Sequence, residues 1–224
     1  MEQHAPEVPP VVARFREKAR EEIIPRRYVA WLHVLFSAGG SLGVIGWLVS
    51  QLHGVTPAQW LTVPLALMVA NAGEYMGHRY PMHHPYPGLR RVFTRHAGQH
   101  HRFFTAAAMS YEGPRDVYMV LFPPVLQIFF FGALGLPLTL LVRLLAGQVP
   151  SLLFAISITA YYLCYEVLHF YYHLSPRPWL EVLPVIPFLR RHHMLHHDPV
   201  HMQRWNFNLT IPLMDLLLGT LRRG

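Results

Sequence analysis

The chain has 224 residues, of which 52% are hydrophobic and only 14% charged, a balance that excludes an ordinary soluble domain. Its 13 Phe, 11 Tyr and 5 Trp exclude intrinsic disorder, and its single cysteine excludes an intramolecular disulfide and a cysteine-rich zinc site. The net charge of +7 comes from basic residues that flank long uncharged runs, which favours a membrane protein and argues against nucleic-acid binding.

Residues 1–27 are polar and carry a few apolar side chains, Val11, Val12, Phe15, Ile23 and Ile24, among Arg and Glu. This pattern predicts a short amphipathic helix on the membrane surface. No signal-peptide pattern is present. We therefore divide the chain into an interfacial segment, 1–27, and a membrane domain, 28–224.

The apolar runs of the membrane domain predict about four crossings, because each is long enough to span a bilayer as a helix. A polar turn, residues 51–56, separates the first two. Pro123-Pro124, Gly132, Gly135 and Pro137 interrupt the third run, which is either one bent span or two short halves. The predicted crossings are Trp31 to Ser50, Pro57 to about His78, Val117 to Gly147, and Pro150 to about Tyr172.

The basic residues predict the orientation. Of the 19 Lys and Arg residues, only Arg143 falls near the face opposite to the termini, so the positive-inside rule places the termini and residues 79–115 in the cytoplasm. The predicted fold is an all-α integral membrane protein with two helical hairpins and a cytoplasmic helical cap, residues 79–115 and 174–224. A prokaryotic inner membrane is favoured over the endoplasmic reticulum.

Histidine is the unusual residue. Thirteen of the 16 histidines lie between positions 78 and 201, at span ends or outside the spans. Three pairs, His96/His100, His169/His173 and His193/His197, have the i,i+4 spacing that places two side chains on one face of an α-helix. Each pair can present two imidazoles to one point. Neutral imidazole binds Zn, Cu, Fe or Ni, and the number of rings exceeds what one ion uses, so we predict two metal ions.

Carboxylates near these histidines are few. Glu74, Glu166 and Asp198 lie within four residues of His78, His169 and His197. They are suited to accept a hydrogen bond from a ligand ring and fix its tautomer, but a solvated acid at a span end is an equally good interpretation.

Four motifs occur in order: EYMGHRYPMH (Glu74 to His83), HAGQHH (His96 to His101), HFYYH (His169 to His173) and HMLHH (His193 to His197). Over about residues 70–220 the chain resembles the integral-membrane fatty acid hydroxylase superfamily, which includes sterol desaturases and carotenoid hydroxylases. Asp116 to Pro124 and Pro212 to Thr220 resemble segments of the fatty acid 2-hydroxylases.

The resemblance implies a set of ten histidine ligands for a two-metal site. His84, His192 and His201 are surplus to the pattern and are grouped with the three carboxylates as supporting residues. The implied ligands are His78, His83, His96, His100, His101, His169, His173, His193, His196 and His197.

The activity implied is O2-dependent hydroxylation of a lipid acyl chain at a di-iron centre, with O2 as co-substrate. Zinc could replace iron in the purified protein. Residues 1–27 cannot form a fused cytochrome b5 domain, so electrons would come from an external donor: a ferredoxin, a cytochrome b5 or a reductase.

The alternatives within the superfamily are a sterol or carotenoid hydroxylase and a lipid desaturase. The alternative outside enzymes is a membrane metal-binding or transport protein. The basic residues of the cap, Arg90, Arg91, Arg95, Arg102, Arg190 and Arg191, suit either an acidic donor or anionic lipid headgroups.

Overall fold

The computed structural model describes residues 8–176 and 181–223. Residues 1–7 of the predicted interfacial segment, and residues 177–180 and 224 of the predicted cap, lie outside the described residues.

Within the described residues all regular structure is helical, apart from an isolated antiparallel bridge between Thr105 and Ala108. Helix α4 is composite: Arg90–Phe93, a π-helical part Thr94–His100, and His101–Phe103. Helix α6 is also composite: Pro124–Phe129, a π-helical part Phe130–Gly135, and Leu136–Ala146. The other helices are α1 (Pro10–Glu22), α2 (Ala30–Ser50, with a π turn at Leu35–Gly39), α3 (Thr62–Arg79), α5 (Val117–Val120), α7 (Gln148–Tyr172), α8 (Val185–His196) and α9 (Leu213–Leu217).

The chain forms two compact units. The histidine unit consists of residues 1–29, 74–120 and 168–224, and the span unit consists of residues 30–73 and 121–167. All ten histidines that the sequence predicts as ligands belong to the histidine unit.

In the part of the chain that the structure describes, three helical stretches are long and apolar enough to cross a membrane: Ala30–Ser50, Pro114–Ala146 and Gln148–Tyr172. They cover three of the four predicted crossings. Large apolar side chains on them are exposed, as at Leu144 (81%) and Leu145 (76%), which suits a lipid environment. The remaining predicted crossing, which is the second in chain order, also forms a helix, α3, preceded by a 3-10 turn at Pro57–Leu61. Asn71, Glu74 and His78 lower its mean hydropathy.

Local sequence explains where these helices begin and end. Thr56 and Gln59 form a capping box, in which the Gln59 side chain accepts from the Thr56 N–H at 2.9 Å. Pro124 occupies the first turn of α6, where a missing N–H costs nothing. Gly147 adopts a φ of 92° and ends that helix before α7 begins.

The helix is interrupted between α5 and α6, just before Pro124. Gly132, Gly135 and Pro137, in contrast, lie inside continuous helix. Two buried polar side chains of the span unit satisfy the backbone at this break. The His33 ring donates to the Phe122 carbonyl at 2.9 Å, and the Phe122 N–H donates to the Glu166 carboxyl. Non-helical backbone is tolerated at membrane depth where protein groups pair it in this way.

Helix α1 confirms the predicted N-terminal helix, and one face of it packs inside the histidine unit, whereas Val11 is exposed. Ala19 and Ile24 are buried in one cluster with Phe103, Phe104 and Met119. The helix that the sequence placed on a membrane surface therefore covers protein on this face. Arg115 donates to the carbonyls of Arg20 and Ile24 at the C-terminal end of the helix, both at 3.2 Å.

Candidate metal centre

Ten buried histidines form two clusters of five. Within each cluster the facing ring nitrogens all lie within 4.8 Å of one another. The first cluster contains His78, His83, His96, His101 and His196, and the second contains His100, His169, His173, His193 and His197. These are the ten residues named from the sequence; their role as ligands stays a prediction.

The π-helical part of α4 decides which histidines share a cluster. The i,i+4 spacing predicted that His96 and His100 share a face of an α-helix. This pairing was wrong, because the segment is π-helical and the two histidines lie in different clusters. A π-helix has i→i+5 bonding, so residues five apart share a face. His96 consequently joins His101, with their Nε2 atoms 3.0 Å apart, while His100 faces the second cluster.

The other two predicted pairs do share a cluster, because they lie on or at the end of α-helices. The Nε2 atoms of His169 and His173, at the end of α7, are 3.3 Å apart. Those of His193 and His197, at the end of α8, are 3.0 Å apart. Helix α8 also supplies His196 to the first cluster.

Backbone carbonyls orient five of the rings through Nδ1. In the first cluster His78 donates to Phe207 at 2.5 Å and His196 donates to Trp205 at 2.9 Å. A carbonyl can only accept, so Nδ1 carries the proton and Nε2 carries the lone pair in each neutral ring. The equivalent bonds in the second cluster are His100 to Met119 (2.8 Å), His173 to Met109 (2.8 Å) and His197 to Phe104 (2.7 Å).

This tautomer has a direct electrostatic consequence in the second cluster. The Nε2 atoms of His100 and His197 lie 3.2 Å apart, and both carry lone pairs because both Nδ1 atoms donate to carbonyls. Two such lone pairs repel each other. A cation placed against them converts the repulsion into two favourable bonds.

Burial keeps these rings neutral. It lowers the pKa of His197 to about 3, because the imidazolium form loses its solvation. Burial, together with the neighbouring imidazoles, lowers the pKa well below 6.5 in His83, His96, His100, His101, His173, His193 and His196. The rings are therefore in the metal-binding form at neutral pH.

The spacing of the second cluster also fits an ion. Its five Nε2 atoms form a closed ring with successive distances of 3.0–3.3 Å. Two imidazole nitrogens bound at about 2.1 Å and at right angles lie about 3.0 Å apart. An odd ring cannot alternate N–H donors with lone-pair acceptors, so hydrogen bonds among the rings do not account for it.

The model of the family described as fatty acid hydroxylase matches residues 63–220, which is most of the chain and includes both clusters. The chain belongs to the fatty acid hydroxylase family. Among solved structures it is similar to full-length Scs7p, in which only the hydroxylase domain is visible. The two share 20% sequence identity with a TM-score of 0.57, over 87% of this chain and 67% of that chain. The comparison with curated proteins gives no significant match.

Family membership supports a lipid-hydroxylating oxidoreductase, and the buried clusters fit a metal site. The histidines surplus to the family pattern lie outside both clusters. His84 is exposed next to the Arg79 carbonyl, whereas His83 is buried in the first cluster. His192 donates to the Asn208 carbonyl at 3.0 Å.

The three predicted supporting acids hold other parts of the hydroxylase domain. Glu74 accepts from the N–H groups of Leu209 and Thr210 and from the Thr210 hydroxyl. Asp198 pairs with His201 at 3.1 Å, while both ring nitrogens of its neighbour His197 are engaged elsewhere. Glu166 belongs to the span unit and accepts from Tyr162 at 3.2 Å.

Asp215 is a supporting residue that the sequence analysis missed. Its buried carboxylate accepts from the N–H groups of Phe207 and Asn208, at 2.9 and 2.7 Å, and from the Thr220 hydroxyl at 2.7 Å. It thereby fixes the segment whose Phe207 carbonyl orients His78. The available signal was a lone acid within an apolar run; the carbonyl acceptors themselves have no sequence signature.

Proposed function

We propose that the protein catalyses O2-dependent hydroxylation of a lipid acyl chain at a two-iron centre held by the two histidine clusters. The supporting observation is the lone-pair contact between His100 and His197 in a ring of five facing nitrogens. Family membership supplies the reaction class. When bound, the iron pair supplies the redox chemistry that activates O2 and inserts one oxygen atom into a C–H bond.

The chain itself keeps the ten imidazoles neutral, shields them from bulk water and fixes their orientation. Carbonyls such as Phe207 and Met119 fix the tautomer, so that Nε2 faces the cluster. Burial of all ten rings excludes bulk water. This arrangement protects a reactive centre from side reactions and requires no rotation of the rings when a metal binds.

The substrate we propose is a fatty acid or fatty-acyl lipid. The exposed apolar side chains of α2, α6 and α7 suit contact with lipid tails. The resemblance of Asp116 to Pro124 and of Pro212 to Thr220 to the 2-hydroxylases favours oxidation near the polar headgroup.

Electrons would come from an external acidic donor: a ferredoxin, a cytochrome b5 or a reductase. A cavity of about 400 Å³ is lined by Arg90, Arg91, Thr94, Arg95 and Gln99. It lies on the π-helical segment that carries His96 and His100. If an acidic donor binds there, Arg90→Glu with Arg91→Glu should raise its KM strongly, and added salt should weaken the wild-type interaction.

We also propose four membrane crossings, with α3 as the second, and with both termini and the histidine clusters in the cytoplasm. The distribution of Lys and Arg supports this orientation. Reporter fusions at the two termini should report the same side, the cytoplasm. Opposite sides would exclude an even number of crossings.

The decisive experiment supplies iron-loaded protein in lipid vesicles with O2 and an external reductant system. Mass spectrometry should show the gain of one oxygen atom in an acyl chain, and labelling with 18O2 should place that atom in the product. His83→Ala should abolish the gain, while His84→Ala, the exposed neighbour, should retain it.

Other outcomes would change the assignment. Loss of two hydrogens without oxygen would identify a desaturase. Modification of sterols or carotenoids would identify another branch of the superfamily. No change in any lipid, with iron and reductant confirmed, would reject the oxygenase proposal and favour metal binding or transport.

A further inference from the structure

Arg16 on α1 is buried far more deeply than is usual for an arginine, at 1% exposure. It lies outside residues 63–220, the part of the chain that matches the family. Its guanidinium lies over the rings of Phe103 and Phe104, 5.1 and 5.6 Å from their centroids. A buried charge of this kind is retained only where its donors are well paired.

All three guanidinium nitrogens donate to the last residue of α4 or to the loop that follows it. Nε donates to the Phe103 carbonyl at 2.9 Å, and Nη2 donates to the Ala108 carbonyl at 2.6 Å. Nη1 forms an ion pair with Glu112 at 2.5 Å. One side chain thus fixes both ends of a turn that the Thr105–Ala108 bridge closes.

The residue that follows each of these carbonyls is an acceptor for a cluster histidine. Phe104, after Phe103, accepts from His197 Nδ1 at 2.7 Å. Met109, after Ala108, accepts from His173 Nδ1 at 2.8 Å. Adjacent carbonyls are joined by one residue's backbone dihedrals, so holding the first restricts the direction of the second.

The same loop is attached to the backbone of both histidines. The Ala106 N–H donates to the His197 carbonyl at 3.3 Å, and the Tyr111 N–H donates to the His173 carbonyl at 2.9 Å. Both histidines belong to the second cluster. In the first cluster, His196 and His78 donate to the carbonyls of Trp205 and Phe207, which lie on the C-terminal segment and do not depend on this loop.

We propose that Arg16 is a positioning residue for the second cluster: it fixes the two backbone acceptors that set the tautomer and orientation of His173 and His197. This inference rests on the proposed metal centre. It predicts a selective effect, because loss of Arg16 should weaken metal binding in the second cluster and leave the first unchanged. Removing an outer partner of a metal-binding histidine lowers metal affinity about 10-fold or more.

The test measures Co²⁺ affinity of the metal-stripped protein by chelator competition, in two backgrounds. His83→Ala leaves the second cluster intact, and His193→Ala leaves the first intact. Arg16→Gln should weaken the remaining site about 10-fold or more in the His83→Ala background and have no effect in the His193→Ala background. Arg16→Lys, which keeps the charge opposite Glu112, should restore part of the loss and replaces Arg16→Gln if that variant does not fold.

Arg20→Gln is the matched control. Arg20 lies one turn further along α1, and its guanidinium donates to the carboxylates of Glu112 and Asp116, both at 2.7 Å, rather than to the carbonyls of Phe103 and Ala108. It should loosen α1 without changing Co²⁺ affinity in either background. An equal loss in both backgrounds, or none in either, would overturn the positioning role. A wild-type protein that binds no metal would instead overturn the metal centre itself.

Discussion

The imidazole rings of His101 and His197 stack with their centroids 4.2 Å apart and an angle of 26° between their planes, although they belong to different clusters. Imidazole rings of the two clusters are therefore in direct contact. His83 differs, since its ring contacts involve the first cluster and Phe207.

This difference predicts two kinds of ligand variant. Wild-type protein should contain about two transition-metal ions per chain. His83→Ala should retain about one ion, because the second cluster keeps its packing, whereas His101→Ala should retain less than one, because His197 loses the ring against which it stacks. Elemental analysis after dialysis against a weak chelator measures both. Equal metal contents in the two variants would show that the contact between His101 and His197 does not support metal binding in the second cluster.

The lowered pKa values predict that acid destabilises the metal-free protein. Between pH 6.5 and the folded-state pKa, a histidine binds a proton in the unfolded chain and not in the folded one, so the free energy of unfolding falls as pH falls. For His197, with a folded pKa of about 3, the loss at pH 5.5 is about 1.4 kcal/mol, and the other buried rings add to it.

The measurement is the thermal midpoint of metal-stripped protein in detergent, at pH 7.5 and pH 5.5. The midpoint should be lower at pH 5.5. His84→Ala, at an exposed position, should show the same difference as the wild type. A midpoint that rises on acidification would show that the rings are not buried in neutral form.

Asp215 predicts a variant that acts at a distance on the first cluster. Burial opposes ionisation, but hydrogen bonds from His192, Asn208, Phe207 and Thr220 hold the pKa of Asp215 below its usual value. Asp215→Asn replaces one accepting oxygen with an N–H₂ group that faces donors, at a cost of about 1–3 kcal/mol for each donor left unpaired.

We expect Asp215→Asn to lower the unfolding midpoint and to weaken metal binding in the first cluster, since Phe207 orients His78. Asp198→Asn is the control: Asp198 is a partly exposed acid that pairs with His201. Chelator competition in the His193→Ala background isolates the first cluster. An Asp215→Asn protein with wild-type affinity there would remove the role assigned to this carboxylate.

The break at Phe122 predicts that His33 contributes to stability in the span unit. His33→Leu leaves the Phe122 carbonyl without this donor in an apolar region, which costs about 1–3 kcal/mol. His53→Leu, at an exposed histidine, should have little effect. Unfolding in a detergent series compares them, and metal content should be unchanged in both. Equal stability of the two variants would show that water or lipid pairs the carbonyl instead.

The resemblance to a known family named the ten histidines that meet. The i,i+4 spacing paired His169 with His173 and His193 with His197 correctly, but its pairing of His96 with His100 was wrong. The sequence also predicted α1 and the helices of all four apolar runs. It did not predict the partners of the rings: Met109, Met119 and Phe104 act through backbone carbonyls, which every residue type has. The predicted acids Glu74 and Asp198 accept hydrogen bonds from backbone N–H groups. The nearby rings of His78 and His197 donate to backbone carbonyls instead of to these acids.

The sequence also could not predict which surface α1 covers. An amphipathic helix shows that one face is apolar, but not whether lipid or protein covers it. Arg16 lies on the buried side of α1 and makes the sequence of that side more polar. In the folded chain its guanidinium forms an ion pair with Glu112 and donates hydrogen bonds to the carbonyls of Phe103 and Ala108.

The π-helical segment Thr94–His100 makes the centre sensitive to chain length as well as to side-chain identity. Here three histidines within six residues belong to two clusters, because the wider turn directs His96 and His101 one way and His100 the other. Removing a single residue such as Gly98 would keep every histidine, yet it would bring His96 within four positions of His101 and favour an ordinary α-helical turn. His96 and His101 would then share an α-helical face as an i,i+4 pair, but His100, now three positions from His96, would change its direction relative to both. Insertions and deletions in this segment should therefore be tolerated less than many substitutions on its exposed side. A family member whose segment is one residue longer or shorter would have to divide these histidines between the two clusters in another way.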